Sequence, residues 1–120
     1  SLENIRQVES LSKYEKEFNK KIKYFVQVNI ANEKQKSGID PKDIKNFIEV
    51  CKSKYDLDII GLMCLPPNVQ STEEYFKKMF DLKSSSLSEL SMGMSNDYIK
   101  AINHRSTYIR IGTKIFGERK

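Results

Sequence analysis

With 120 residues, 38% of them hydrophobic and 31% charged, the chain has the composition of one globular domain, too short for two and too apolar to be disordered. The net charge of +5 arises from 21 basic and 16 acidic residues, and the bases are nearly all lysines interleaved with Glu and Asp. That is the pattern of solvated helix faces and not of a nucleic-acid reader, which clusters arginines beside exposed aromatics. No apolar run approaches the roughly 20 residues needed to span a bilayer, and the polar start "SLENIRQVES" has no secretory signal pattern. A cytoplasmic location is expected, with neither membrane nor nucleic acid as partner.

Leu2, Ile5, Val8, Leu11, Tyr14 and Phe18 recur at spacings of three and four, which predicts a helix over 2–20. "IKYFVQVNI" at 22–30 reads as a buried strand and "ANEKQKSGID" as a polar loop. Asp40-Pro41 then places a capping residue before a proline at the first helical position, and the helix it opens runs to about Lys54 with Ile44, Phe47, Ile48 and Cys51 inward. "LDIIGLMCL" at 57–65 is a second strand, which Pro66-Pro67 ends. Ser71 or Thr72 caps a helix over about 72–82, and Ser84-Ser85-Ser86 breaks it. "LSELSMG" at 87–93 gives a third strand, where Gly93 permits a sharp turn. A short helix "NDYIKAINH", a fourth strand "TYIRIG" at 107–112 and an extended stub "KIFG" complete the chain.

Strands that read as apolar runs and alternate with helices predict an α/β fold built on a parallel sheet covered on both sides. Four strands in this order suit either a small open doubly wound sheet or part of a (β/α) barrel. In both, ligands bind at the C-terminal strand ends, which here carry Asn29, Met63-Cys64, Met94-Ser95 and Gly112-Thr113.

The familiar catalytic patterns are missing. Gly112 and Gly117 have the glycine spacing of a phosphate loop, but Glu118 and Arg119 follow where Lys and Ser or Thr are needed. No G-x-G-x-x-G or G-x-S-x-G occurs, and a single histidine, His104, removes the usual Ser-His and Cys-His pairs. No catalytic residue and no metal ligand set is therefore expected, with His104 a solvated loop residue and Cys51 and Cys64 small buried side chains. What remains is a phosphate-shaped site from two strand ends: Ser95 at a helix start, and Gly112 with Thr113, whose backbone and hydroxyl donors would meet an anion. Ser95 as an ordinary N-cap and Gly112 as a turn residue remain an alternative. Arg110 inside an apolar strand implies either a ligand or a carboxylate partner, or a core salt bridge.

"LSMGMSND", "TYIRIGTKIFGER", "GLMCLPP" and "FVQVNIANEKQKSGI" together resemble the C-terminal half of the pyridoxal phosphate homeostasis proteins, small relatives of the alanine racemase barrel, from about Phe25 to Arg119. The resemblance implies a partial (β/α) TIM-type barrel with about four parallel strands, residues 1–120 forming a single partial domain. It implies pyridoxal 5'-phosphate as cofactor, its phosphate held by Ser95 with the backbone beside Met94 and by Gly112 and Thr113, and Arg110 facing the pyridine nitrogen. It also implies a cofactor carrier without established turnover. The family's V-S-K motif, which holds the cofactor lysine, and its F-I-G-x-L-Q motif do not occur here, and Lys23 and Lys42 stand in the wrong context to replace that lysine. The expectation is thus a fragment that partners a separately encoded N-terminal half or itself; a non-functional remnant of a split gene and half of a two-chain racemase-like enzyme are the alternatives. Arg105 stands where the family has Gly in the turn before the last strand, so strain at positive φ is expected there.

Overall fold

Local signals fix most element boundaries. The computed structural model describes residues 1–32, 37–67 and 71–118. Helix α1, Ile5–Phe18, starts where the Asn4 side chain accepts a hydrogen bond from the Gln7 N–H and stops at Asn19, which turns left-handed at φ 50°. Its predicted apolar stripe is only partly inward: Val8 is buried, whereas Ile5, Tyr14 and Phe18 are exposed. Leu2 is no part of the helix and instead forms a parallel bridge to Val26. The buried Glu15 carboxylate is satisfied by the Tyr24 hydroxyl, which donates to it at 2.5 Å and ties α1 to the sheet.

Strand β1 is Lys23–Val28, β2 is Asp58–Cys64 and β3 is Glu89–Ser91. Between them lie a 3₁₀ turn at Pro41–Asp43, α2 at Ile44–Ser53 and α3 at Glu73–Leu82; α4, Tyr98–Asn103, and α5, Thr113–Phe116, follow β3. The Asp40 side chain accepts from the Lys42 N–H at 3.1 Å, and α2 buries Ile44, Phe47, Ile48 and Cys51, both as the sequence predicts. Thr72 takes the N-cap position of α3, yet its hydroxyl makes no cap bond and is buried without a partner among the described residues. The polar loop residues 33–36, the loop residues 68–70 and Arg119 lie outside the described residues.

The sheet is parallel with strand order β1-β2-β3. Each strand adds on the same side as the last, so right-handed crossovers carry the helices to one face. Helical cover then falls on one face, although the consecutive residues Gly61, Leu62, Met63 and Cys64 of β2 are all buried. Along β1 the residues Tyr24, Val26 and Val28 are buried, while Phe25 and Gln27 on the opposite face are half-buried. On that second face the Phe25 and Tyr108 rings meet edge to face at 5.1 Å. Their backbones lie three strand spacings apart, about 14 Å in a flat sheet, so this contact draws the two sides of the sheet together.

Two other expectations change. The stretch 107–112 is not a fourth strand, because only Tyr108 bridges Ser91 in parallel register. Gly93, at φ +104°, turns the chain away directly after Met92, and the Arg110 N–H bonds to the Gly93 carbonyl off the ladder. The Thr107 and Tyr108 N–H groups bond to the Leu90 carbonyl and the Met92 N–H to the Tyr108 carbonyl, and side chains add to this short backbone attachment. The Ser106 hydroxyl donates to the Met92 carbonyl at 2.7 Å, and the Thr107 hydroxyl oxygen accepts from the Leu90 N–H at 2.9 Å. The stub "KIFG" is the helical turn α5, with N–H groups of Ile115 and Phe116 bonded to the Gly112 carbonyl. His104, expected in a solvated loop, is a half-buried C-cap of α4 whose ring lies 6.5 Å from that of Phe76.

Arg105 does sit at positive φ, +75°. A Cβ at Gly93 would lie 2.6 Å from the Ala101 Cβ, so both conformation and space demand glycine there. In urea titrations Gly93→Ala should lose about 2–4 kcal/mol of stability from strain and overpacking. Arg105→Gly should gain about 0.5–1 kcal/mol, since the left-handed cost to an L-residue outweighs the chain entropy that glycine adds. Equal midpoints for wild type and both variants would refute the strain assignment.

Candidate functional site

The turn that Gly93 opens is closed by Asp97. Its carboxylate accepts from the Met94 N–H at 2.8 Å, and its own N–H donates to the Met94 carbonyl at 3.1 Å. The N-cap position of α4 therefore belongs to Asp97 and not to Ser95, and the Asp97 side chain makes no cap bond. The Ser95 hydroxyl oxygen instead accepts from the Lys114 N–H at 3.0 Å. An oxygen that accepts there keeps its own hydrogen free to donate elsewhere.

Arg110 is carried in by the segment that Ser106 and Thr107 hold against β3. One guanidinium nitrogen donates to the Cys64 carbonyl at 2.8 Å, where β2 ends, while the Arg110 Nε is buried with no acceptor. No ion pair to Arg110 exists among the described residues, which removes the core salt-bridge alternative for them. Burial lowers the Arg110 pKa from its ordinary value, and Cys64 and the Asp97 carboxylate act against that shift. Burial also pushes the Cys64 thiol up to about 12 and the Cys51 thiol up to about 11.

Met94, Ser95, Arg110, Gly112 and Thr113 line one open cleft of about 1220 Å³ at the C-terminal ends of β3 and the 107–111 stretch. The five residues singled out in the sequence are thus brought together, whereas Asn29 and Met63-Cys64 do not line it. The N–H groups of Ser95, Asn96, Gly112 and Thr113 find no acceptor among the described residues. Gly112 has φ −120°, and a Cβ built there meets nothing within 4 Å. Neither the turn nor internal packing requires glycine at this position. Sequence reasoning missed Asp97, Phe116 and Glu118. Asp97 three residues beyond Met94 was a readable turn signal, but Phe116 and Glu118 were hidden by the extended reading of "KIFG".

The arrangement offers converging hydrogen-bond donors and one half-buried guanidinium, which suits an anion carrying a flat, polar body. A family model described as alanine racemase, N-terminal domain, matches residues 1–120. The pyridoxal phosphate homeostasis protein of Aquifex aeolicus is 36% identical over 105 residues, covering 79% of this chain and 46% of the relative. A protein of the same name from Pasteurella multocida is 30% identical over 130 residues, covering 99% of this chain and 56% of the relative. Among solved structures, PipY of Synechococcus elongatus superimposes with a TM-score of 0.86 without PLP, at 28% identity, covering 98% of this chain and 60% of that one. PipY with PLP bound gives 0.83 at 26% identity, covering 98% and 59%. The chain spans about half the length of the curated relatives it matches.

The two thiols supply a check on the packing behind the cleft. A folded-state pKa raised above the free value stabilises the fold fully below that free value, and the contribution is lost as pH rises toward 11 and 12. At pH 8 neither Cys51 nor Cys64 should react with Ellman's reagent in the native chain, and both should react in guanidinium chloride. Rapid native labelling of Cys64 would show that the region beneath Arg110 is open to water.

Proposed function

Because the chain belongs to the family of alanine racemase N-terminal domains, we propose that it binds pyridoxal 5'-phosphate and serves in the intracellular homeostasis of that cofactor. The observation that carries this reading is Gly112, a glycine that neither backbone nor packing requires, facing the free Ser95 hydroxyl hydrogen and a set of unpaired N–H groups across the cleft. Close approach of a ligand to the backbone would give this position, which is also the N-cap of α5, a reason to lack a side chain. The phosphate would be held by the hydroxyls of Ser95 and Thr113 and by the N–H groups of the turn after Met94 and of Gly112 and Thr113. The donor set fits a dianion, since every partner donates and none is a carboxylate.

Arg110 has its Nε buried without an acceptor, and a buried donor left unpaired costs about 1–3 kcal/mol. Arg110 also lines the cleft, and the N–H groups on its terminal guanidinium nitrogens would meet the pyridine nitrogen there. Pyridoxal phosphate when bound supplies an aldehyde on an electron-withdrawing ring. An arginine at the ring nitrogen disfavours its protonation, which weakens the ring as an electron sink. Carriage of the cofactor suits this site better than turnover. A PLP-bound structure of PipY supports the assignment.

The 120 residues correspond, in this reading, to one partial domain, the C-terminal half of a (β/α) barrel. Single-direction winding, the Phe25–Tyr108 contact across the face without helices, and the greater length of the relatives all support it. The remaining strands, with the lysine that attaches the cofactor, would come from the part of the relatives that this chain does not match. Among the described residues no lysine side chain lines the cleft.

Two outcomes test the proposal. In calorimetric titrations Gly112→Val should weaken binding of pyridoxal 5'-phosphate at least about tenfold, one lost close approach being worth about 1.4 kcal/mol or more. Cys51→Ala should leave the affinity unchanged. Equal affinity for wild type and Gly112→Val would remove the phosphate from this strand end. Borohydride treatment of the cofactor-loaded 120-residue chain, followed by peptide mapping, should give scattered, substoichiometric labelling of lysines. One stoichiometrically modified lysine would identify an attachment residue within these residues and reopen an enzymatic reading.

A further inference from the structure

We infer that Asp97 is a positioning residue for the anion contacts, an assignment that rests on the cofactor-binding function above. Asp is among the best N-cap residues, and a cap bond is worth about 1 kcal/mol to a helix. Asp97 occupies the N-cap position of α4 and makes no such bond. Its carboxylate turns back to the Met94 N–H at 2.8 Å, and its own N–H bonds the Met94 carbonyl at 3.1 Å. Helix α4 thus begins without the cap that its residue could provide, and the bond goes to the turn before it.

That choice has a geometric effect. With both backbone polar groups of Met94 tied to Asp97, the intervening Ser95 and Asn96 are held in a closed turn, and their N–H groups remain without acceptors. The same turn presents the Ser95 hydroxyl to the Lys114 N–H at 3.0 Å, which fixes the spacing between the two halves of the donor set. It also withdraws the Met94 N–H from the ligand. The backbone donors on this side of the cleft are then those of Ser95 and Asn96.

The carboxylate's charge works against this role, because a negative group beside an anion site repels the ligand. Hydrogen bond and charge therefore make opposite predictions for two variants. Asp97→Asn keeps an oxygen for the Met94 N–H and loses the charge, so affinity for pyridoxal 5'-phosphate should stay within about threefold of wild type or improve. Asp97→Ala loses the bond and should weaken binding about tenfold. Affinity for pyridoxal, which lacks the phosphate, should not change in either variant. Calorimetry on the whole chain with both ligands gives these values. Wild-type affinity in Asp97→Ala, an equal loss in both variants, or an equal loss for pyridoxal would each overturn the assignment.

Amide hydrogen exchange keeps this inference separable from the function it rests on. The Met94 amide should be protected in wild type and in Asp97→Asn and should exchange faster in Asp97→Ala, with no ligand present. If wild type binds no pyridoxal 5'-phosphate while this exchange pattern holds, the cofactor reading fails and the turn assignment stands. Unchanged Met94 exchange in Asp97→Ala overturns the turn assignment itself.

Discussion

Two hydroxyls hold the cleft together. The segment after α4 meets β3 over one short bridge at Tyr108, and the hydroxyls of Ser106 and Thr107 extend its backbone bonds with further ones to Leu90 and Met92. The half of the cleft that carries Arg110, Gly112 and Thr113 lies downstream of that attachment. Arg110 reaches the Cys64 carbonyl, and Gly112 and Thr113 come to rest opposite Ser95, because the chain between them has little freedom left. Bonds from side-chain hydroxyls to backbone are each worth about 1 kcal/mol, modest against a whole fold but decisive for one short segment. The strain at Arg105, immediately before Ser106, is borne by the same contacts.

A second constraint is the desolvation of Arg110. Its guanidinium is carried on an extended segment between the C-terminal ends of β2 and β3, with one nitrogen satisfied by a carbonyl that can neither neutralise its charge nor move away. Asp97 lies near enough to favour the cation and is itself engaged by Met94. The result is a positive charge held in place at the edge of the cleft. Preorganised donors of this kind cost nothing further to orient when a ligand arrives.

The α/β class, the three strands and the inward face of α2 were legible because long apolar periodicity outweighs local detail in these segments. That Met94, Ser95, Arg110, Gly112 and Thr113 would line one cleft was legible as well, because they stand where helices and strands hand over. The failures have a common cause. "TYIRIG" alternates like a strand, but strand character needs a partner along its length, and β3 ends at Ser91 because of Gly93. "KIFG" looks extended by composition, yet Gly117 at φ +81° lets a helical turn close behind it. Ser95 was placed at the helix start because Asp97, which holds the N-cap position of α4, was read as helical. Thr72 shows the converse, a capping residue in the capping place whose hydroxyl makes no bond among the described residues.

The bridges of Leu2 and Ile39 have a bearing on self-association. Leu2 bonds the Phe25 carbonyl and the Gln27 N–H, and Ile39 bonds the Gln27 carbonyl and the Asn29 N–H, so the outer margin of β1 is saturated from Phe25 to Asn29. On the opposite margin the Ile109 backbone groups have no partner among the described residues. A sheet with two open margins can propagate head to tail into a fibre, whereas a sheet with one can only meet another copy margin to margin, about a two-fold axis, and close. From Phe25 to Asn29 the outer margin of β1 therefore offers another strand no free ladder donor or acceptor.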